Sequence, residues 1–454
     1  MILLSKIKEI FNVEIATSYK MDVAVREGID IYTGNSYWID EENGVKTINF
    51  AKALCNETAR LAMLGIKITI DGSGKADWMQ KQIDKIFFKI RDWVEYGCAY
   101  GTIIMKPSED GIDLFTPDRY VITEYKNGVI TGIVFIYDKK EGNDYYTRLE
   151  YHHYVDEKNY SVLNRCFVGA SENSLSEKVD IEKTPWNGLM EDANIEGLTM
   201  PAYGVFRTPQ ANNIDINSAV GVPLFHEALQ ELEDLDIAYS RFSEENYDSR
   251  RILLLDSDRM IESGTAIKNH QRNFEANRKA MNLPRYVKNV FGNGRDDFYQ
   301  EINPSLNTEI RLKGINAILS QIGYKIGFSN GHFVFNESQG IQTATEIEAN
   351  QQRTIQFVKD VRDKLEYCIN GVVEGLNMIA NGKSITGDYE VVCDFGDITY
   401  NYEEEKARWW GYVVAGKMPL WRYYAKFEGM SEKEAREIEK EIQPKQPTLF
   451  GSEE

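Results

Sequence analysis

Between Gly340 and Leu376 the chain places Ile347, Ile355, Val358, Val361, Leu365, Ile369, Val372 and Leu376 at three- and four-residue spacing, one apolar stripe at the period of a helix. No other feature constrains the fold as much, because the rest of a domain has to be built around a helix of that length. Its start is marked by Thr343-Ala344-Thr345-Glu346, a capping box in which the Thr343 hydroxyl and the Glu346 carboxylate reciprocally satisfy orphan backbone N–H groups. Before Ile355 the stripe is nearly empty, with only Ala344, Ile347 and Ala349 apolar. That half can bury little against its own chain and is expected to face a wet cavity or another subunit.

Two more striped segments precede it. From near Ser218 to Tyr247 the sequence predicts a helix carrying Phe225, Leu229, Leu232, Leu235, Tyr239 and Phe242, which unbroken would reach about 45 Å. Its other faces are acidic, with Glu227, Glu231, Glu233, Asp234, Asp236, Glu244 and Glu245 against Arg241 alone. A second helix is predicted from Thr308 to Ile326, with Ile310, Ile315, Ile318, Leu319, Ile322 and Ile326 on one stripe. The two flank a compact insertion that opens on a strand-like run, Ile252 to Leu255. There the charge balance reverses, because Lys268, Arg272, Arg278, Lys279, Arg285, Lys288 and Arg295 face only Glu275. This basic stretch is open to three readings: a solvated surface, a nucleic-acid contact using the interleaved Phe274, Tyr286 and Phe291, or a dock for an acidic protein partner.

The N-terminal half has a different texture. Helical spacing holds from Ile48 to Leu64 and from Trp78 to Gly97. From Ile112 to Val168 the period shortens toward two, with turn signals at Asn127-Gly128, Glu141 to Asp144 and Asp156 to Asn159, which predicts an antiparallel meander. The fold class is therefore α+β. A Gly- and Asn-rich loop spans Gly327 to Gly340. After Gly382 a strand-like "YEVVCDFGDITYNY" leads to helical "EEEKARWWGYVVAG" and to a last helix capped by Ser431 with Glu434, and the tail from Gln443 is expected to be disordered.

Composition removes several function classes. With 71 acidic against 52 basic residues the net charge is −19, which opposes tight adhesion to phosphate backbones and anionic membranes. No apolar run approaches the ~18 residues of a membrane span, and the start lacks a signal-peptide core, so a soluble intracellular protein is expected. Cys55, Cys98, Cys166, Cys368 and Cys393 are scattered and read as reduced thiols. Asp394 with Asp397, or Glu403 to Glu405, could in principle pair as acid and base, but in so acidic a chain they read as solvated faces. His152 and His153, adjacent in a predicted strand, point to opposite faces and cannot share a metal. "DGSGKADW" lacks the first glycine and the hydroxyl of a phosphate loop, and "GNGRDD" lacks the third glycine of a dinucleotide fingerprint. No catalytic residue, metal or cofactor is expected.

The order of these segments, together with "TEYKNGVITGIVF", "RLEYHHY", "TPQANNIDINSAVGVPLF", "ALQELEDLDIAYSRF" and "TATEI", resembles the portal proteins of tailed double-stranded DNA bacteriophages, particularly those of Gram-positive hosts. The resemblance runs from about Phe50 to Gln443. It implies a dodecameric ring at one capsid vertex, in the virion and, during assembly, in the host cytoplasm. In that scheme residues 1–216 are an α/β wing, 217–249 and 304–326 a two-helix stem, 250–303 a small α/β clip, 327–341 a tunnel loop, 342–383 a long tunnel-lining helix, 384–442 a short helical crown and 443–454 a disordered tail. It further implies that Ser329, Asn330, His332, Asn336, Glu337, Ser338 and Gln339 meet passing double-stranded DNA, with Thr343, Thr345, Glu346, Asn350 and Arg353 on the channel helix. Lys268, Arg272, Arg278, Lys279, Arg285 and Lys288 would then dock the terminase large subunit. The major capsid and scaffolding proteins and a head-completion adaptor are the other implied partners, with no membrane. Two rivals stand beside this reading: another phage head or connector protein, and an acidic cytosolic hydrolase.

Overall fold

The computed structural model describes residues 2–72, 75–108, 110–156, 159–198, 200–248, 252–256, 286–290, 299–302, 307–335, 344–381, 389–396, 402–415, 417–428, 430 and 432–442. The chain divides into two compact units, Met1–Asp394 and Phe395–Glu454. The first opens with α1 (Ile2–Phe11), α2 (Tyr19–Thr33), α3 (Phe50–Ala62), β1 (Lys67–Gly72) and α4 (Ala76–Tyr100). A small antiparallel sheet comes next, built from β2 (Thr102–Ser108) and β3 (Gly111–Phe115).

The predicted meander is present. β4 (Tyr120–Lys126), β5 (Val129–Glu141), β6 (Asp144–Tyr154), β7 (Asn159–Gly169) and β8 (Glu177–Val179) lie side by side in chain order, and β9 (Asp192–Glu196) also pairs with β7. Asn127 and Gly128 take φ of 51° and 84°, the pair of positive values that a two-residue hairpin requires. Alternation along the strands gives the sheet two buried faces. Ile122, Ile133 and Phe135 pack with Tyr203 and Val220 on one, and Val121, Val134 and Ile136 pack under Ile7 of α1 on the other.

β10 (Gly204–Arg207) joins the edge of β2. One expectation fails just beyond it. Residues 218–225 are not the start of a helix; they run buried through the body, and the helix α5 spans Leu229–Asp248 after a single 3-10 turn at His226–Ala228. The backbone there is committed elsewhere: Gly221 N–H donates to Thr102 Oγ1 at 2.8 Å and Leu224 N–H to the Cys98 carbonyl at 2.8 Å. Pro223 has no N–H to give. α5 is therefore about 30 Å long rather than 45 Å.

The strands β11 (Ile252–Asp256), β12 (Tyr286–Val290) and β13 (Tyr299–Ile302) form a sheet of order β12-β11-β13, parallel between β11 and β12 and antiparallel between β11 and β13. Helix α6 (Thr308–Ile326) has the predicted bounds and packs on α5. Leu235 of α5 and Ile315, Leu319 and Ile322 of α6 are buried within this one chain.

Helix α7 (Ala344–Asn381) is the long striped helix. It lies against β2 and β10 so closely that a Cβ on Gly371 would overlap the Tyr203 carbonyl, and one on Gly375 the Ala202 carbonyl. On its other side the Arg362 guanidinium donates to the carbonyls of Leu61, Ala62 and Leu64 at 3.0 to 3.1 Å, a cation closing the C-terminus of α3. β14 (Tyr389–Asp394) then pairs with β1. The second unit thus begins at Phe395 rather than at Ser384, since the strand between them belongs to the N-terminal body.

That second unit holds α8 (Tyr402–Val414), α9 (Leu420–Phe427) and α10 (Glu432–Ile442). Trp409 meets Phe427 and Trp410 meets Tyr423 edge-on or tilted, and Lys406 pairs with Glu428 at 2.9 Å. α9 is a helix that the stripe analysis did not separate. Ser431, the tail from Gln443, Asp397 and "GNGRDD" lie outside the described residues. Among the described residues no helix is long and apolar enough to cross a membrane. All five cysteines are free thiols.

Candidate functional site

α6 stops because Gly327 takes φ of 120°, a value that favours glycine, and the chain turns back to run beside α7. The returning segment is held down residue by residue. The Phe328 ring is fully buried, 5.1 Å from Phe357 of α7 and 4.8 Å from Phe333, and Phe333 in turn meets Phe50 of α3 edge-on at 5.3 Å. Ser329 and Thr354 exchange hydrogen bonds: Ser329 N–H donates to Thr354 Oγ1 at 2.8 Å, and Thr354 N–H donates to Ser329 Oγ at 3.2 Å. Asn316, on the buried side of α6, uses its side-chain amide as if it were a strand partner. Its Nδ2 donates to the Phe335 carbonyl at 3.0 Å, and its Oδ1 accepts from Phe335 N–H at 2.9 Å.

Polar groups close the edges. His332 Nε2 lies 3.3 Å from Glu57 Oε1, and Glu57 also takes both Arg60 contacts, at 2.6 and 2.7 Å. The Arg60 hydrogen bonds are the main cause that holds the Glu57 carboxyl below the usual carboxylate range. Arg353 lies 4.0 Å above the Tyr324 ring and donates to the Tyr324 carbonyl at 2.7 Å. Lys325 bridges Glu231 at 2.6 Å and the Glu227 carbonyl at 3.0 Å, tying the end of α6 to the start of α5.

The sequence-derived site residues fall into four groups. Asn330 and Arg353 are exposed and His332 is partly so; the neighbouring Gln351 and Gln352 of α7 are exposed beside Arg353, so the stripe is empty at these positions. Ser329 departs from expectation: it is buried, and its hydroxyl is spent on Thr354 rather than turned outward. The reason is local, since Phe328 pulls its neighbour into the aromatic cluster. Asn336, Glu337, Ser338, Gln339 and Thr343 lie outside the described residues, as do Lys268, Arg272, Arg278, Lys279 and Arg285. Thr345, Glu346 and Asn350 lie on α7, and Lys288 lies on β12.

Sequence reasoning missed Asn316 and Thr354, although both carried a signal. Each is a polar residue set beside an isoleucine of a buried stripe, where a polar side chain needs a specific partner. It also missed a buried charged cluster formed by β6 of the meander and β2 of the small sheet. Glu150 receives Lys106 at 2.9 Å, Arg148 at 3.2 Å and His152 Nε2 at 2.7 Å, and all four side chains are buried. His152 Nδ1 lies 2.8 Å from the Tyr160 hydroxyl. Nε2–H therefore donates to Glu150 and Nδ1 accepts from Tyr160, the neutral tautomer that both partners select. Burial pushes the His152 pKa down against the pull of Glu150, while Lys106, His152 and Arg148 together hold Glu150 well below the carboxylate range despite its own burial. His153, on the opposite face, stacks on Tyr151. Among the described residues no group of three or more His, Cys, Asp or Glu is arranged to hold a metal ion.

A family model described as "Phage portal protein, SPP1 Gp6-like" matches residues 40–448. No curated protein matches the chain.

Proposed function

The chain belongs to the SPP1 Gp6-like family of phage portal proteins, structural connectors of the capsid vertex used in DNA packaging, and from that premise we propose how its segments share the work. Copies of the chain close into a dodecameric ring. The N-terminal body to residue 216 forms the wing, α5 and α6 the stem, and the β11–β13 region the clip that meets terminase through Lys268, Arg272, Arg278, Lys279, Arg285 and Lys288. The loop after α6 and the head of α7 line the DNA channel, and the helices after Phe395 form the crown. Capsid, scaffolding and adaptor proteins contact the outer surfaces, and the ring resides in the virion after assembly in the host cytoplasm.

One observation carries the channel assignment. The stretch Gly327–Phe335 is anchored from behind by Phe328, Ser329, Asn316 and Phe333, so Asn330 and His332 are presented from a fixed base beside the exposed Gln351–Arg353 turn. These groups are polar and mostly uncharged, and the chain around them is acidic. Such a lining gives phosphate no strong grip, which keeps sliding friction low. The test is imaging of purified protein by negative stain, together with packaging assays. Rings with a central hole are expected, and replacing residues 336–339 with a Gly-Ser linker should leave rings and empty capsids intact while lowering packaged DNA. A linker variant that packages normally would remove the channel role from the loop.

A further inference from the structure

Asp236 and Ser240 stand one turn apart on α5, and both are buried. Their side chains are spent on a strap of the N-terminal body, Trp38 to Ile48. Asp236 Oδ1 accepts the Ile48 N–H at 2.9 Å, and its Oδ2 accepts the Trp38 Nε1–H at 2.9 Å. Ser240 Oγ accepts the Lys46 N–H at 2.9 Å and donates to the Lys46 carbonyl at 3.2 Å. A turn further on, a Cβ on Gly44 would come within 2.6 Å of Glu244 Oε1. All three positions lie on one side of α5, so a rotation or slide of that helix carries the strap with it.

The strap ends where α3 begins. Asn49, the residue after Ile48, is the N-cap of α3: it holds φ at 50°, its Oδ1 accepts the Lys52 N–H at 3.3 Å, and its Nδ2 donates to the Tyr32 carbonyl at 3.0 Å. No slack residue lies between the clasp on α5 and the first turn of α3. Seven residues apart on one face of α3, Phe50 and Glu57 meet the Gly327–Phe335 loop, Phe50 through Phe333 and Glu57 through His332. Arg362 holds the far end of the helix on α7. We propose that α3 is a rigid link between the stem helix and the channel loop, so that the position of α5 sets how firmly Phe328 to Phe335 is held, and a load on that segment is felt at the strap. The link lies within one chain, and its part in DNA transit rests on the channel reading.

Hydrogen exchange of the full chain tests the link, with β5 of the meander as the internal reference. Ser240→Ala and Asp236→Asn should each speed exchange of the Phe328–Phe335 amides about fivefold or more, while β5 is unchanged. Ser240→Ala removes only one hydroxyl, so it keeps the test open if Asp236→Asn does not fold. Coupling is reciprocal, so His332→Ala should speed exchange at Lys46 and Ile48 by a similar factor. α6 packs on α5 and leads straight into the same loop, which makes a second route that has to be separated. In a Phe50→Ala, Glu57→Gln background α3 no longer meets the loop, and neither α5 variant should change loop exchange further. Faster loop exchange that vanishes in that background supports the link whether or not rings form. Loop rates unmoved by Ser240→Ala while the strap amides speed up, or a loop response that persists in that background, would overturn the link and leave the portal reading standing.

Discussion

Ser329 and Thr354 lie 25 positions apart and share hydrogen bonds that neither could make with water, since both are buried. Thr354→Val keeps the shape and removes the hydroxyl, leaving Ser329 N–H buried without its acceptor, at about 1–3 kcal/mol. The expected outcome in urea denaturation is a lower midpoint, with faster hydrogen exchange confined to the amides of Phe328 to Phe335. Thr354→Ser should restore both. At the meander, the neutral His152 has a folded pKa below its unfolded one, so its contribution is complete above about pH 6.5 and is lost as pH falls. Glu150, also depressed, adds a second loss at lower pH, once the medium drops below the ordinary carboxylate range. Thermal melts of wild type should therefore decline between pH 7 and 5 and again in stronger acid, and His152→Asn should flatten the first decline only. Glu150→Gln should cost about 3–5 kcal/mol at neutral pH, because it strands Lys106 and Arg148 in the core. A midpoint unchanged by that substitution would mean that the cluster is open to water.

At the scale of elements, the contact between α7 and the Ala202–Gly204 strand edge has no slack. Gly371 faces backbone atoms, which cannot rotate away as a side-chain tip can. Gly371→Val should destabilise the fold by several kcal/mol, more than the ~1–3 kcal/mol typical of overpacking against mobile side chains. Gly314, on the open side of α6 with no atom near its missing Cβ, is the control: Gly314→Ala should be neutral or mildly stabilising in the same melt. α5 makes a related point. α5 packs on α6 of the same chain, and its Leu235 is fully buried. Leu235→Asp should therefore lower the stability of the single subunit before any effect on assembly is counted.

At the scale of the whole molecule, a net charge of −19 sets how the protein treats DNA. Purified assemblies should bind duplex weakly at physiological salt. Reversing Arg278, Lys279 and Arg285 should reduce terminase binding more than DNA binding. Tight DNA affinity with a steep salt slope that vanishes in the triple variant would assign the basic stretch to nucleic acid instead.

The amino-acid sequence by itself determined the elements whose cause is local. The long helix, α6 and the hairpins of the meander arise from side-chain periodicity and from residues such as Asn127-Gly128 that only certain turns accept. The family was legible too, because ordered words survive where single residues carry little. Tertiary structure decided whatever depended on partners distant in sequence. The helix predicted from Ser218 does not begin until Leu229, because Thr102 and Cys98, more than a hundred residues earlier, take the N–H groups of Gly221 and Leu224. Ser329 reads as a polar channel residue, yet it is buried because Thr354 offers it a matching pair and Phe328 beside it belongs to the core. Arg148, Glu150 and His152 share one face of β6 by alternation, which the sequence contains, but that this face is buried and meets Lys106 of β2 follows only from how the two sheets pack. A periodic pattern states which face of an element is apolar, and it does not state what that face will meet.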